Sequence, residues 1–194
     1  MAHLLKSKSK VKTAIIHPAV EPIFKLYGQL PRTIDLSSLP HSFFEHLNQT
    51  IRLEGILNGK ELLVTGPVDK IALLNCPILD LVRSDTLILS SNGDSEAIIE
   101  KIVFDAWLSL LHTVIYSVDS KVQLGMLLDI VNKEVPVDIH KKLFSEHKTT
   151  EPDIANWADA SRAVVQRQAQ KWRDYQRLYT THISFQTSAL LDKQ

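Results

Sequence analysis

The sequence has little cysteine, few glycines and no long apolar run, and each scarcity excludes a class of protein. Cys76 is the one cysteine in 194 residues, which excludes an internal disulfide framework and a multi-thiolate metal site. The six glycines are scattered and form no glycine-rich phosphate-binding loop. No apolar run approaches the roughly 20 residues that cross a bilayer, so we expect no membrane partner.

Signatures of catalysis and targeting are also missing. The sequence has no nucleophile elbow and no Cys–His signature, and the eight histidines lack the spacing of a metal site. We therefore expect neither an enzyme nor a bound metal or cofactor. Residues 1–12 contain no apolar h-region, so we expect no secretory signal and a cytoplasmic location.

Charge is balanced over the whole chain but unevenly distributed. Residues 1–12 carry four lysines and no acid, whereas residues 13–139 carry 9 basic and 16 acidic side chains. Residues 140–194 are basic again, with 9 basic and 6 acidic side chains. Basic ends around an acidic middle favour an anionic partner, and nucleic acid is the commonest large anion. Solvated tails are the alternative.

Hydrophobic periodicity predicts an α+β fold dominated by helices. The Asn58-Gly59 dipeptide between two alternating segments predicts a β-hairpin over 51–65. Two further apolar runs of strand length, 77–82 and 86–90, extend this to a small antiparallel sheet in the N-terminal half, within 51–91. Helices are predicted near 18–27, 41–49, 95–115, 119–132, 137–147, 151–158 and 161–175. The predicted domains are a basic flexible tail (1–16), a mixed α/β domain (17–117) and a helical domain (118–194).

The most informative stretch is 154–167, which predicts two helices joined by a short turn at Asp159-Ala160. Small and apolar side chains would hold the two helices together. These positions are Ile154, Ala155, Ala158 and Val165.

The opposite face of the second helix carries forked donors and amides. Its candidate DNA-contacting residues are Ser161, Arg162, Gln166, Arg167, Gln168 and Lys171. Arginine can bond bidentately to guanine O6 and N7, and glutamine to adenine N6 and N7. Ser161 can cap the helix, and Ser161 and Lys171 can contact phosphates. This pattern is typical of a helix that enters the major groove.

This segment, residues 150–172, resembles the helix-turn-helix superfamily of bacterial DNA-binding proteins. The matching positions are Ile154-Ala155, Ala160, Ser161, Val165 and Arg167. Val164 and Gln166 are tolerated variants. The main departure is Asp159, where the family has glycine, because that turn position takes a left-handed backbone.

The resemblance implies a C-terminal tri-helical core in which the helix at 119–132 or that at 137–147 packs across the pair. It also implies a homodimer that reads two half-sites of double-stranded DNA. The function expected is a sequence-specific transcriptional regulator, or a plasmid or mobile-element partition or replication accessory factor. Residues 17–117 would then be the dimerisation or effector domain, with a small-molecule effector as an open alternative.

Two other interpretations stay open. The C-terminal helices could be a protein–protein interaction module without DNA binding. Alternatively, the segment from Cys76 to Asp94 resembles the effector-binding sheet shared by chorismate lyases and some regulators, which implies a small-molecule or lyase-like domain around 51–91. In that interpretation Arg83 would hold a carboxylate. The aromatic stripe Trp172, Tyr175 and Tyr179 is more typical of core packing than of a platform for bases.

Overall fold

The computed structural model of the chain describes residues 3–5, 8–31, 39–74, 76–89, 96–144 and 147–191. It divides into two compact units, Met1–Thr113 and Val114–Gln194. The division falls four residues before the boundary predicted at 117/118. The α+β class and the excess of helix are confirmed.

The first unit contains five short strands and several helices. They are β1 (His3–Leu4), β2 (Thr13–Ile16), α1 (Glu21–Gln29), α2 (His41–Thr50), β3 (Glu54–Asn58), β4 (Glu61–Gly66), α3 (Val68–Leu74), α4 (Ile78–Leu81), β5 (Leu87–Leu89) and most of α5 (Glu96–Ser117).

The five strands form one mixed sheet in the order β1-β5-β3-β4-β2. The predicted hairpin is confirmed: β3 and β4 are antiparallel, and Gly59 takes a φ of 60° in the turn between them. The prediction of an antiparallel sheet is wrong, because β2 is parallel to β4 and β3 is parallel to β5. The chain between β4 and β5 includes α3 and α4. It leaves β4 at the end of the sheet where β3 begins, so β5 starts at that end and runs parallel to β3.

The flexible tail predicted for residues 1–16 is also wrong where the structure describes it. β1 pairs with β5, so that His3 faces Ile88, and β2 pairs with β4. Leu5 and Val11 are buried in the core of the sheet. The flexible tail was predicted from the lysines between Leu5 and Val11. Burial of this segment requires only that its apolar side chains face inward.

The apolar run 77–82, predicted as a strand, contains the one-turn helix α4 instead. Pro77 precedes this turn at the N-cap, and Leu81 and Val82 are buried after it. Periodicity cannot separate a strand from a buried helical turn over so few residues. The core around the sheet is formed by Leu5, Val11, Ile51, Leu53, Leu62, Val64, Ile71, Leu81, Val82 and Ile88.

Tyr27 links α1 to α5 within the first unit. Its side chain is buried, and its hydroxyl donates to Ser109 Oγ at 3.1 Å and lies 3.5 Å from Thr113 Oγ1. Burial raises the pKa of Tyr27 above its ordinary value of 10.0, against the lowering effect of the two hydroxyl partners. The neutral phenol is therefore the form that this packing stabilises.

The second unit consists of the end of α5 followed by α6 (Gln123–Lys133), α7 (Val137–Leu143), α8 (Glu151–Trp157) and α9 (Arg162–Leu191). α6 packs against both α8 and α9. Met126 and Ile130 of α6 are buried, as are Ile154 of α8 and Val165 of α9. Of the two helices left open by the sequence, the one within 119–132 therefore packs across the pair. No helix in the described ranges has both the length and the apolar character needed to cross a membrane.

Candidate nucleic-acid interface

The start of α8 is fixed by Thr150 and Asp153. The Asp153 carboxylate accepts hydrogen bonds from the Thr150 backbone N–H at 2.7 Å and from the Thr150 hydroxyl at 2.6 Å. These two bonds hold the pKa of Asp153 below its ordinary range. Pro152 lies in the first turn, where its missing N–H costs no intrahelical bond. α8 thus begins at a defined residue next to the candidate surface.

The turn between α8 and α9 takes the left-handed conformation predicted at Asp159. This residue has a φ of 46°, and the Ala160 N–H donates to the Ala155 carbonyl at 2.9 Å. Ala155 is buried, as predicted. Ala158 was also expected to face inward, but it is exposed because it follows the last residue of α8 and belongs to the turn.

The back of α9 is packed against α6. Val165, Ala169 and Trp172 recur at intervals of three and four residues and are all buried. The Trp172 indole N–H donates to Asp129 Oδ2 at 3.1 Å, and its ring stacks on Tyr175 with centroids 5.5 Å apart. Core packing is confirmed for Trp172, while the side chain of Tyr179 lies outside the described residues.

The front of α9 carries five of the six candidate residues. Ser161, Arg162, Gln166, Arg167 and Lys171 are all exposed. Ser161 directly precedes α9, and its backbone carbonyl accepts from the Val164 and Val165 N–H groups. The sequence-derived surface is therefore accessible over its first three turns.

Gln168 lies elsewhere, and its predicted place on this front is wrong. Its side-chain oxygen accepts a hydrogen bond from the Leu124 backbone N–H at 2.8 Å. Gln168 sits three residues after Val165 and four before Trp172, so it shares their buried side of the helix. Its amide satisfies a donor in the first turn of α6, where backbone N–H groups have no helical partner.

Glu151, the first residue of α8, is not among the predicted site residues, yet it contacts two of them. Its Oε2 accepts from Arg162 Nε at 2.9 Å and from Gln166 Nε2 at 2.8 Å. The hydrogen bonds from Arg162 and Gln166 hold the pKa of Glu151 below its ordinary value. Arg162 and Gln166 are one helical turn apart, so their side chains lie on the same face of α9 and can share one acceptor.

The front is strongly basic. Residues 162–178 contain five arginines and lysines and one carboxylate, Asp174. Arg173 donates to Gln170 Oε1 at 2.7 Å, which is a neutral partner. The side chains of Arg167 and Lys171 are exposed and form no hydrogen bond or ion pair with any residue of the described ranges. This surface therefore holds cationic donors that are available to an anion.

In the first unit, the Arg83 guanidinium contacts the end of α2. It donates to the Gln49 carbonyl at 3.2 Å, to the Ile51 carbonyl at 3.0 Å, and to the Asn48 carbonyl. These oxygens belong to the end of α2, where carbonyls lack helical partners. These contacts give Arg83 a helix-capping role, and the carboxylate-binding interpretation stays a prediction.

A groove of about 190 Å³ in the same unit is lined by Glu54, Asp69 and Asp105 among others. Three carboxylates do not suit the anionic ligand that the lyase-like interpretation requires. Within the described ranges, no group of three His, Cys, Asp or Glu side chains comes together in a way that could hold a metal ion.

Comparison of the chain with protein-family models, with curated proteins and with solved structures finds no match.

Proposed function

We propose that the second unit is a sequence-specific DNA-binding domain in which α9 enters the major groove of double-stranded DNA. The observation that supports this most directly is the division of α9 into a buried back and an exposed basic front. A helix clamped on one side against α6 can present its other side rigidly, which base readout requires.

The exposed donors suit the chemistry of a groove. Arg162 and Arg167 can each bond bidentately to a guanine, and Gln166 can bond to an adenine. Lys171 can neutralise a backbone phosphate, and backbone N–H groups at the start of α9 can donate hydrogen bonds to one. Phosphate contacts would set the position of α9, and the base contacts would select the sequence.

The biological role consistent with this chemistry is that of a transcriptional regulator, or of a partition or replication accessory factor. A homodimer would present two copies of α9 to two half-sites about one helical turn, roughly 34 Å, apart. The acidic excess of residues 13–139 would be repelled by phosphate. The first unit would then serve dimerisation or respond to an effector.

The test is selection of duplexes from a random-sequence pool by the full chain, followed by titration of the enriched duplex at several salt concentrations. Arg162→Ala and Arg167→Ala should each weaken specific binding by about 1–3 kcal/mol. Lys171→Ala should weaken binding to all sequences and lower the salt dependence by about one counterion. Lys101→Ala, an exposed lysine of the first unit, is the control and should bind as the wild type does. Arginine variants that bind normally would contradict the proposal.

One observation favours a second candidate, a protein-interaction module. α5 exposes Leu108, Ile115 and Tyr116, the last with 75% of its surface accessible. Exposed apolar side chains on a helix are typical of interfaces. Light scattering combined with the DNA assay separates the candidates, because a stable protein complex that retains no DNA would favour this one.

A further inference from the structure

Glu151 holds two side chains of the proposed reading surface through a single carboxylate oxygen. Its Oε2 lies 2.9 Å from Arg162 Nε and 2.8 Å from Gln166 Nε2. The Arg162 side chain is 65% exposed and that of Glu151 is 30% exposed, so the contact lies at the edge of the surface rather than beneath it. The two side chains are thus held together at a position from which they could contact bases in a DNA groove.

The contact leaves a defined set of donors available. Arg162 uses Nε, and neither of its Nη groups donates to a described residue. The two Nη groups form the end-on pair of donors that matches guanine O6 and N7. Gln166 uses one N–H and keeps its carbonyl oxygen and its second N–H. Glu151 therefore selects which edge of each side chain faces outward.

We propose that Glu151 is a positioning residue that determines specificity for guanine at Arg162, an inference that rests on the proposed DNA-binding function. A long arginine side chain normally loses its rotamer freedom on binding. Here the ion pair restricts Arg162 before DNA binds, so forming the specific contact loses less conformational entropy. The same carboxylate weakens non-specific DNA binding by Arg162, because it occupies a position from which a phosphate would otherwise pair with the guanidinium.

The two effects act in opposite directions on two kinds of DNA. Removing Glu151 frees Arg162, which weakens the ordered contact with guanine. Removal also takes away a negative charge, which strengthens pairing with any phosphate. A purely structural loss would weaken both kinds of binding together, so the sign of the change identifies the role.

The experiment uses the full chain and two duplexes: the one enriched by the wild type from a random pool, and a scrambled duplex of the same composition. Glu151→Ala should weaken binding to the enriched duplex about tenfold. It should strengthen binding to the scrambled duplex about threefold. Glu151→Gln keeps an acceptor oxygen without the charge, so it should recover part of the specific affinity while retaining the stronger binding to scrambled DNA.

The control is Asp138→Asn, which neutralises an exposed carboxylate in the first turn of α7 without touching Glu151 or Arg162. Its ratio of specific to scrambled affinity should equal that of the wild type. Thermal unfolding of each variant verifies that it is folded. An unchanged ratio in Glu151→Ala, or parallel weakening on both duplexes, overturns the role of Glu151. If the wild type enriches no duplex, the proposed DNA-binding function itself fails.

Discussion

Gly125 of α6 lies directly against the backbone of Ala169 in α9. A Cβ built on Gly125 would stand 2.3 Å from the Ala169 nitrogen, far inside the distance at which unbonded atoms remain in contact. The two helices approach this closely because one residue has no side chain and the other has a single methyl. This contact sets the distance between α6 and α9.

Gly125→Ala should therefore destabilise the second unit. Alanine is about 1 kcal/mol better than glycine in a helix interior, so propensity alone predicts a gain. Overlap with the backbone of α9 should outweigh that gain and lower the free energy of unfolding by about 2 kcal/mol. Urea denaturation followed by circular dichroism measures this difference.

The control for this substitution is Gly28→Ala in α1. A Cβ at Gly28 would meet nothing within 4 Å, and the residue is exposed. This variant should gain about 0.5 kcal/mol or more from helix propensity alone. A Gly125→Ala protein that matches Gly28→Ala in stability would show that α6 and α9 are not in close contact.

Asp159→Gly should stabilise the turn between α8 and α9. The φ of 46° at Asp159 is unfavourable for a residue with a Cβ, and glycine takes it freely. The greater freedom of glycine in the unfolded chain offsets part of the gain, so we expect about 0.5 kcal/mol. Ala158→Gly, at a φ of −98°, should instead lose stability. Thermal melts of the pair measure both, and equal changes in the two variants would count against a strained Asp159.

Tyr27→Phe should change how the stability of the first unit depends on pH. It removes the hydrogen bond to Ser109, which should cost about 1 kcal/mol at neutral pH. Because burial raises the pKa of Tyr27 in the folded state, its contribution is fully present below pH 10 and is lost as pH rises through the folded-state pKa. The wild type should therefore lose its advantage over Tyr27→Phe in alkaline solution.

Urea midpoints of the two proteins at pH 8 and pH 11 measure this convergence. A constant difference between wild type and Tyr27→Phe across this range would mean that the folded-state pKa is not raised.

Arg83→Ala should destabilise the end of α2. The variant leaves the carbonyls of Asn48, Gln49 and Ile51 without their charged donor, which should cost about 2 kcal/mol. Arg52→Ala is the matched control, since Arg52 forms only an exposed ion pair with Asp85 and should change stability by less than about 0.5 kcal/mol. Calorimetry compares the two, and a small effect at Arg83 with a thermal shift from an aromatic carboxylate would favour the ligand-binding interpretation.

Local signals were sufficient for much of the fold. The Asn58-Gly59 turn predicts β3 and β4 because a tight turn constrains the residues on either side of it. The parallel pairings of β2 with β4 and of β3 with β5 could not be predicted in this way. Strands distant in sequence choose partners through packing, which no window of neighbouring residues contains.

Helical periodicity predicted the part of the candidate site that depends on α9 alone. Periodicity placed Arg162, Gln166 and Arg167 outside, but Gln168 was misplaced because Trp172 extends the buried row beyond Val165. Glu151 lies 11 and 15 residues before its two partners. This contact depends on how the turn at Asp159 orients α8 and α9, and no residue spacing in the sequence predicts that orientation.

The pairing of the edge strands β1 and β2 sets the order in which the sheet can fold during synthesis. β1 pairs with β5 across more than 80 residues, and β2 must wait for β4. A nascent chain that has reached Asn58 therefore carries two apolar segments with no place to dock, and its sheet closes only after Leu89 leaves the ribosome. Until then Leu5 and Val11 lack the partners that bury them in the folded chain.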